Sequence, residues 1–154
     1  MATTPRLYRG QMSVRQARPG DLPALRELLS LCGLPFDGVP DHLSAFLVAL
    51  DQGRLTGSVG VERCGADGLL RSLAVHPDYR GRSLGTHLTR RALREARRLG
   101  LRRVFLLTET ASEYFLRLQF RRVPRQQAPP AVQASVEFAS VCPETAVCME
   151  RHLD

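Results

Sequence analysis

The stretch of this chain best suited to chemistry is short. Residues 76–88 read HPDYRGRSLGTHL, which places Arg80 and Arg82 on either side of Gly81, with Ser83 and Gly85 opening a run of helical spacing. An anion is stabilised where a helix begins, because first-turn N–H groups have no partner inside the helix and carry the positive end of its dipole. Gly81 and Gly85 let a phosphate approach the main chain closely, and the two arginines add charge. Two familiar phosphate turns do not fit. A P-loop requires a lysine, which the chain lacks, and a dinucleotide turn requires Gly-x-Gly-x-x-Gly, a spacing absent here.

A second group of candidates lies just upstream. Arg71 interrupts the otherwise apolar run LLRSLAV, and a guanidinium in such a strand must be paired or face a wet cleft. Two readings stay open: an ion pair across strands with Glu62, or a bidentate grip on a substrate carboxylate. His76, beside Pro77, reads as a turn histidine. Cys32, Cys64, Cys142 and Cys148 contain no Cys-x-x-Cys pair, so no zinc ribbon, redox motif or metal site is expected. They read as small buried apolar residues in a reducing compartment.

These residues must be positioned by regular elements, and the pattern of apolar positions suggests which. MSVRQA (12–17) alternates as a strand. A helix starts at Asp21, with Pro23 in its first turn and Leu25, Leu28 and Leu29 on one face, and ends at Gly33 and Pro35. Leu43, Phe46, Leu47 and Leu50 make the stripe of a second helix over Asp41–Ala49. A strand then leads through a turn at Gly65–Gly68 into another strand, Leu69–Val75, a register that sets Glu62 opposite Arg71. Leu84, Leu88, Ala92, Ala96 and Leu99 line one face of a helix that Gly100 ends as a left-handed cap. RVFLL (103–107) suits a strand covered on both faces. A helix over Ala111–Leu118, a strand from near Phe120, a loop over 124–130, a helix over Ala131–Ala139 and a closing strand Ala146–Met149 complete the chain. This order implies an α/β (α+β) fold with a mixed sheet of about six to seven strands and helices on both faces.

The residues LAVHPDYRGRSLGTHL, followed by a helix, an apolar strand and EYFLRLQF, resemble the GNAT superfamily of acetyl-CoA-dependent N-acetyltransferases, whose signature is Arg/Gln-x-x-Gly-x-Gly/Ala. Arg80, Leu84 and Gly85 fit, and Ser83 stands where the signature has glycine. LAVHPDYRG, FLLTET and EFASVCPETAVCM are similar to the N-acetyltransferases of arsenic-resistance operons and to the acetyltransferase domain of N-acetylglutamate synthase. The resemblance implies the GNAT fold, with parallel strands four and five splayed apart, and a site for acetyl-CoA. The coenzyme pyrophosphate would lie on the amides of Arg82, Ser83, Leu84, Gly85 and Thr86, with Arg80 and Gly81 shaping the turn. The pantetheine arm would pair with the strand edge Leu73, Ala74 and Val75. The N–H near Leu73 would polarise the thioester carbonyl as a neutral amine attacks.

The resemblance also implies a general acid and a base. The family's tyrosine position holds Phe115 here, with Tyr114 one residue earlier, and Gln119 replaces a family glycine. Tyr114 as the acid, Tyr114 as a packed aromatic, and solvent as the proton source all remain open. For the base, Glu109 after the central strand, Glu62, and a water chain are the alternatives.

Composition sets the remaining bounds. With 154 residues and 44% hydrophobic composition the chain is expected to form one domain, 12–154, after a tail over 1–11. No apolar run approaches the ~18 residues of a membrane span, and the start lacks the apolar middle of a signal peptide, so no membrane partner and a cytoplasmic location are expected. The net charge of +7 is carried entirely by arginine. An absence of Lys, Ile and Asn fits a codon bias, so the arginine face of residues 92–98 reads as solvated and no nucleic-acid partner is expected. Three functional classes follow: an N-acetyltransferase for a small amine, an amino acid or an amino-acid-like arsenical; a non-catalytic acetyl-CoA sensor; or an arsenite binder using Cys142, Cys148 and Cys32. By analogy, such a chain pairs as a homodimer through its final strand.

Overall fold

The structure, a computed structural model, describes residues 12–141 and 143–154. The expected tail and Cys142 lie outside the described residues. The chain divides into two compact units, one comprising the described residues up to Gly60 with Ser72–Ala92, the other Val61–Arg71 with Leu93–Asp154. A seven-stranded sheet has the order β1-β2-β3-β4-β5-β7-β6.

In the first unit, β1 (Met12–Gln16) leads to a tight turn whose Asp21 carboxylate accepts the Arg18 N–H at 2.7 Å and two bonds from Arg15 at 2.7 and 3.0 Å. Helix α1 (Leu22–Leu31) then buries Leu25, Leu28 and Leu29, as its spacing predicts. It ends where Gly33 adopts φ +71 and the Leu34 N–H reaches back to Leu29 O at 2.8 Å, a paired C-terminal cap that satisfies the last carbonyls.

The expected second helix is not formed. Residues Pro40–Ala45 make a 3-10 turn, and Phe46–Asp51 is strand β2. Leu43, Phe46, Leu47 and Leu50 match a helical stripe, yet Phe46, Val48 and Ala49 are fully buried. Two flanking strands decide the matter: β2 pairs with β1 along Met12↔Asp51 to Gln16↔Leu47, and with β3 (Arg54–Cys64) from Phe46↔Gly60 to Asp51↔Arg54. Gln52 and Gly53, at φ +51 and +83, form the two-residue hairpin turn that makes this pairing local.

Strand β4 (Asp67–Val75) follows a turn of Gly65 and Ala66 alone, shorter than expected. Gly68 belongs to the strand instead, where a Cβ would lie 2.7 Å from Val61 Cγ1. Helix α2 (Leu84–Arg98) buries Leu84, Leu88, Ala92, Leu93 and Ala96, and each buried leucine contributes about 1.5–3 kcal/mol. It packs close to β3 because Gly57 has no Cβ, which would sit 2.9 Å from Leu88 Cδ1. Leu99, expected on the apolar face, is 51% exposed. It occupies the helix cap, Gly100 reverses the chain at φ +81, and Leu101 is buried in its place with its N–H on Ala96 O. The apolar core of this unit gathers Leu25, Leu28, Leu29, Val39, Phe46, Val48 and Ala74.

In the second unit, β5 (Arg103–Thr108) runs parallel to β4 through Gly68↔Val104 and Leu69↔Phe105. Helix α3 (Ser112–Arg117) leads into β6 (Arg121–Arg122). The helix expected over Ala131–Ala139 is shorter: α4 spans Pro130–Gln133, and a wide π turn follows at Glu137–Val141. Ser135 Oγ accepts the Phe138 N–H at 3.3 Å, a local side-chain bond that competes with continued helix. The closing strand, β7 (Val147–His152), pairs along its whole length with β5 and on its other side with β6. It therefore lies between β5 and β6 in the sheet. Cys64, Leu69, Phe105, Val132, Phe138 and Cys148 form this unit's core.

Candidate active site

The turn from β4 into α2 is held in shape from several sides. Gly81 and Ser83 both adopt left-handed backbone, at φ +77 and +66. Ser83 O accepts the His87 N–H at 3.0 Å, which makes Ser83 the residue that begins the helix. Helix-initiating residues normally take extended backbone, and a side chain at positive φ is strained, so the turn holds Ser83 in a conformation suited to glycine. A Cβ added to Gly81 would meet nothing within 4 Å; what the position demands is the φ value and an open face.

Side chains pin the turn more than they occupy it. Arg80 Nε donates to Val75 O at 3.0 Å, joining the turn to the end of β4, and Cys32 Sγ approaches the same oxygen at 3.7 Å. Arg82 donates to Asp78 O at 3.2 Å and stacks over Tyr79, 5.1 Å from the ring centre. Tyr79 is buried beneath, its hydroxyl donating to Asp51 Oδ2 at 2.6 Å, a bond that raises its pKa above the ordinary phenol value. His76 Nδ1 accepts the Asp78 N–H at 3.1 Å, as a turn histidine does. Leu84 is buried, so it can offer a ligand only its main chain, while Gly85 and Thr86 are half-buried along the first turn. Leu73, Ala74 and Val75 form the last part of β4, with Leu73 and Val75 half-exposed.

Arg71 lies in the second unit, and its side chain has 0% exposure. It donates to Glu62 Oε2 at 2.8 Å and stands 3.4 Å from Glu137 Oε2. Of the two readings the sequence leaves open, the ion pair is the one formed; a grip on a substrate carboxylate would require Arg71 to leave two buried carboxylates. Glu137 is the residue sequence reasoning missed. Nothing in VEFASV marks it, because its partner arrives from a strand far away in the chain.

The proton-transfer candidates are differently placed. Glu109 is exposed just beyond β5. Tyr114 is half-buried on α3, edge-on to Phe115 at 5.1 Å and beneath Arg117 at 6.0 Å. Phe115, at the position where the resemblance implies a tyrosine, is buried against Phe120 at 5.5 Å and has no proton to give. Gln119, which stands for a family glycine, keeps the left-handed backbone at φ +72. Burial pushes the Cys64 and Cys148 thiols up to about 11, which disfavours the thiolate an arsenite binder needs at Cys148. Among the described residues no group of three or more His, Cys, Asp or Glu could hold a metal, and no helix is long and apolar enough to cross a membrane.

A sheet with β4 parallel to β5, and a glycine-bearing turn from β4 into a long helix, are the arrangement that the sequence resemblance to acetyltransferases implies. The chain belongs to the acetyltransferase (GNAT) family, whose profile matches residues 14–120. It is 27% identical over 127 residues to an amino-acid acetyltransferase of Neisseria meningitidis, covering 77% of this chain and 29% of that protein. The chain spans less than a third of the length of such curated relatives. Its fold matches N-acetylglutamate synthase from Neisseria gonorrhoeae complexed with coenzyme A and N-acetyl-glutamate, at TM-score 0.80 and 24% identity over 94% of this chain and 36% of that one. It also matches Rv2747 from Mycobacterium tuberculosis in complex with CoA, at TM-score 0.79 and 24% identity over 92% and 99% of the two chains.

Proposed function

We propose that the chain is an N-acetyltransferase that moves the acetyl group of acetyl-CoA to the amine of a small amino-acid-like molecule. The observation that carries this reading is the turn at Gly81–Ser83, left-handed at both residues and opening a 15-residue helix. First-turn amides of a helix have no partner inside it and can serve a diphosphate together, and the left-handed turn ahead of them leaves the main chain open to such a group. The amides of Arg82, Ser83, Leu84, Gly85 and Thr86 hold the pyrophosphate, with Arg80 and Gly81 setting the turn. The edge of Leu73, Ala74 and Val75 holds the pantetheine, and the Leu73 N–H polarises the thioester carbonyl. The acceptor amine attacks that carbonyl carbon as a neutral group; the C–S bond then breaks, coenzyme A leaves as a thiolate, and no covalent enzyme intermediate is required.

The amine's proton passes to Glu109 or to water, and the thiolate takes its proton from Tyr114 or from solvent. Arg71 and Glu62, paired with each other in the second unit, remain the candidates for a charged group on the substrate. The amino-acid preference rests on the relatives' names, and the panel that tests it is headed by L-glutamate and includes an amino-acid-like arsenical. The measurement is thiol release from acetyl-CoA over that panel, alongside calorimetric titration with acetyl-CoA. Release with at least one amine is expected, and the enzyme reading fails if acetyl-CoA binds while no amine yields product. That result would favour the sensor reading, for which the buried Phe115 is the supporting observation.

A further inference from the structure

Strand β4 is not regular. Ser72, in its middle, is buried and adopts φ +59, the left-handed backbone that a non-glycine residue in a strand takes only at a bulge. The pairing with β3 agrees: His76 N–H donates to Thr56 O at 2.8 Å at one end, and the hairpin turn joins Cys64 to Asp67 at the other. Asp67 to His76 is one residue longer than the opposing Thr56 to Cys64. A bulge takes one residue out of the ladder, so its carbonyl needs another donor. Ser58 of β3 supplies it. Its side chain is fully buried, and its hydroxyl donates to Ser72 O at 2.8 Å.

That bond has a consequence one atom further along. The described chain has no cis peptide bond, and in a planar trans peptide the C=O and the following N–H point in opposite directions. Ser58, by holding Ser72 O toward β3, turns the Leu73 N–H to the edge of β4 that faces away from β3. Leu73 carries the amide that the proposed reaction uses.

We propose that Ser58 is a positioning residue for acetyl transfer: its hydroxyl fixes the Ser72–Leu73 peptide so that the Leu73 N–H is held ready for the thioester oxygen. Ser58 touches neither substrate and acts through that peptide alone. The inference rests on the acetyl-CoA reading, and its test separates the two. The carbonyl stretch of acetyl-CoA carrying carbon-13 at the thioester carbonyl is recorded by difference infrared spectroscopy, free and bound, and no acceptor amine is needed. Bound to the parent protein, the band is expected at lower frequency than in free acetyl-CoA, because a hydrogen bond weakens the C=O bond. In Ser58→Ala most of that shift should be lost while the calorimetric affinity for coenzyme A stays within about twofold, and with an accepted amine kcat should fall about tenfold with KM for acetyl-CoA unchanged. Ser58→Thr, which keeps the hydroxyl, should restore the shift.

A Ser58→Ala protein that keeps the full shift and kcat overturns the inference, as does one that loses coenzyme A affinity and kcat together. Should Ser58→Ala fail to fold, Ser58→Cys, a weaker donor, should give an intermediate shift, and a parent-like shift there also overturns the inference. A parent that binds acetyl-CoA without moving the band overturns this inference and leaves the coenzyme site standing. A parent that does not bind acetyl-CoA overturns the function on which it rests.

Discussion

The turn at Gly81–Ser83 and the cluster of Glu62, Arg71 and Glu137 are both places where charge is managed, and they are built in opposite ways. The turn is made of main chain. Its arginines are exposed and hold the carbonyls of Val75 and Asp78, so on the proposed reading an anion would be held by backbone shape that few side-chain changes alter. The cluster is made of side chains from separate segments, with exposures of 4%, 2% and 5% for Glu62, Arg71 and Glu137. There each charge is offset in part by the others, and an uncompensated buried charge costs far more than a pair contributes. A site of the first kind should lose function gradually under mutation, and one of the second kind should lose the fold abruptly.

The largest effect that could break this contrast is at Arg71. Arg71→Met leaves two buried carboxylates facing each other and should cost about 3–5 kcal/mol in urea unfolding. Arg71→Met combined with Glu62→Leu and Glu137→Leu should recover most of that loss, because a well-packed apolar set replaces a buried ion cluster at little cost. A single Arg71→Met variant within about 1 kcal/mol of the parent would mean the cluster is wetter than its burial indicates.

The turn should answer to backbone changes instead. Gly81→Val forces a β-branched residue into left-handed backbone, which costs roughly 1–2 kcal/mol. If the turn reshapes to avoid that cost, calorimetric affinity for coenzyme A should fall by about tenfold or more, since 1.4 kcal/mol corresponds to a factor of ten. Arg82→Gln, which removes a charge and leaves the main chain alone, should weaken binding by less, and mostly at low salt. Equal losses from the two would show that charge, not backbone shape, carries the site.

A smaller effect of opposite sign sharpens the comparison. Ser83 and Gln119 both hold positive φ, at +66 and +72, with side chains that disfavour it. Ser83→Gly and Gln119→Gly should each stabilise the protein by about 0.5–1 kcal/mol, the relief of strain less the entropy glycine gains when unfolded. Thermal unfolding is the measurement. A lower melting temperature for Ser83→Gly would mean that the serine hydroxyl, and not only the backbone, supports the helix start.

The same contrast explains what the sequence disclosed. HPDYRGRSLGTHL shows its turn because glycine, serine and arginine at fixed offsets describe local main chain, and the caps at Gly33 and Gly100 were legible for the same reason. The resemblance to a family extended that reading to the parallel pair, strands four and five. Strand β2 was hidden because six residues of mixed apolar character fit both periods, and the ladders on its two sides make the choice. The two-residue turn at Gln52–Gly53 was the local signal that could have revealed it. Glu137 had no local signal at all, nor did the bond from Ser58 to Ser72, since each depends on residues that only the folded chain brings together.

The smallest effect concerns a third charge site, built of side chains like the Arg71 cluster but open to water. Asp21 accepts two bonds from Arg15 and one from the Arg18 N–H, and its side chain is 13% exposed against 28% for Arg15. The bond from Arg15 is the main reason its carboxyl is held below the ordinary value of 3.8. A carboxylate with a lowered folded-state pKa stabilises the fold above its unfolded pKa, and that stability is lost as pH falls through the lowered value. Asp21→Asn should therefore cost about 1 kcal/mol or less near neutrality, and the gap from the parent should close as the pH is taken down through and below 3.8. Urea unfolding of both proteins across that range is the measurement. Were the gap as large as that expected for Arg71→Met, burial would not be what separates the two charge sites, and the contrast with the main-chain turn would need another cause.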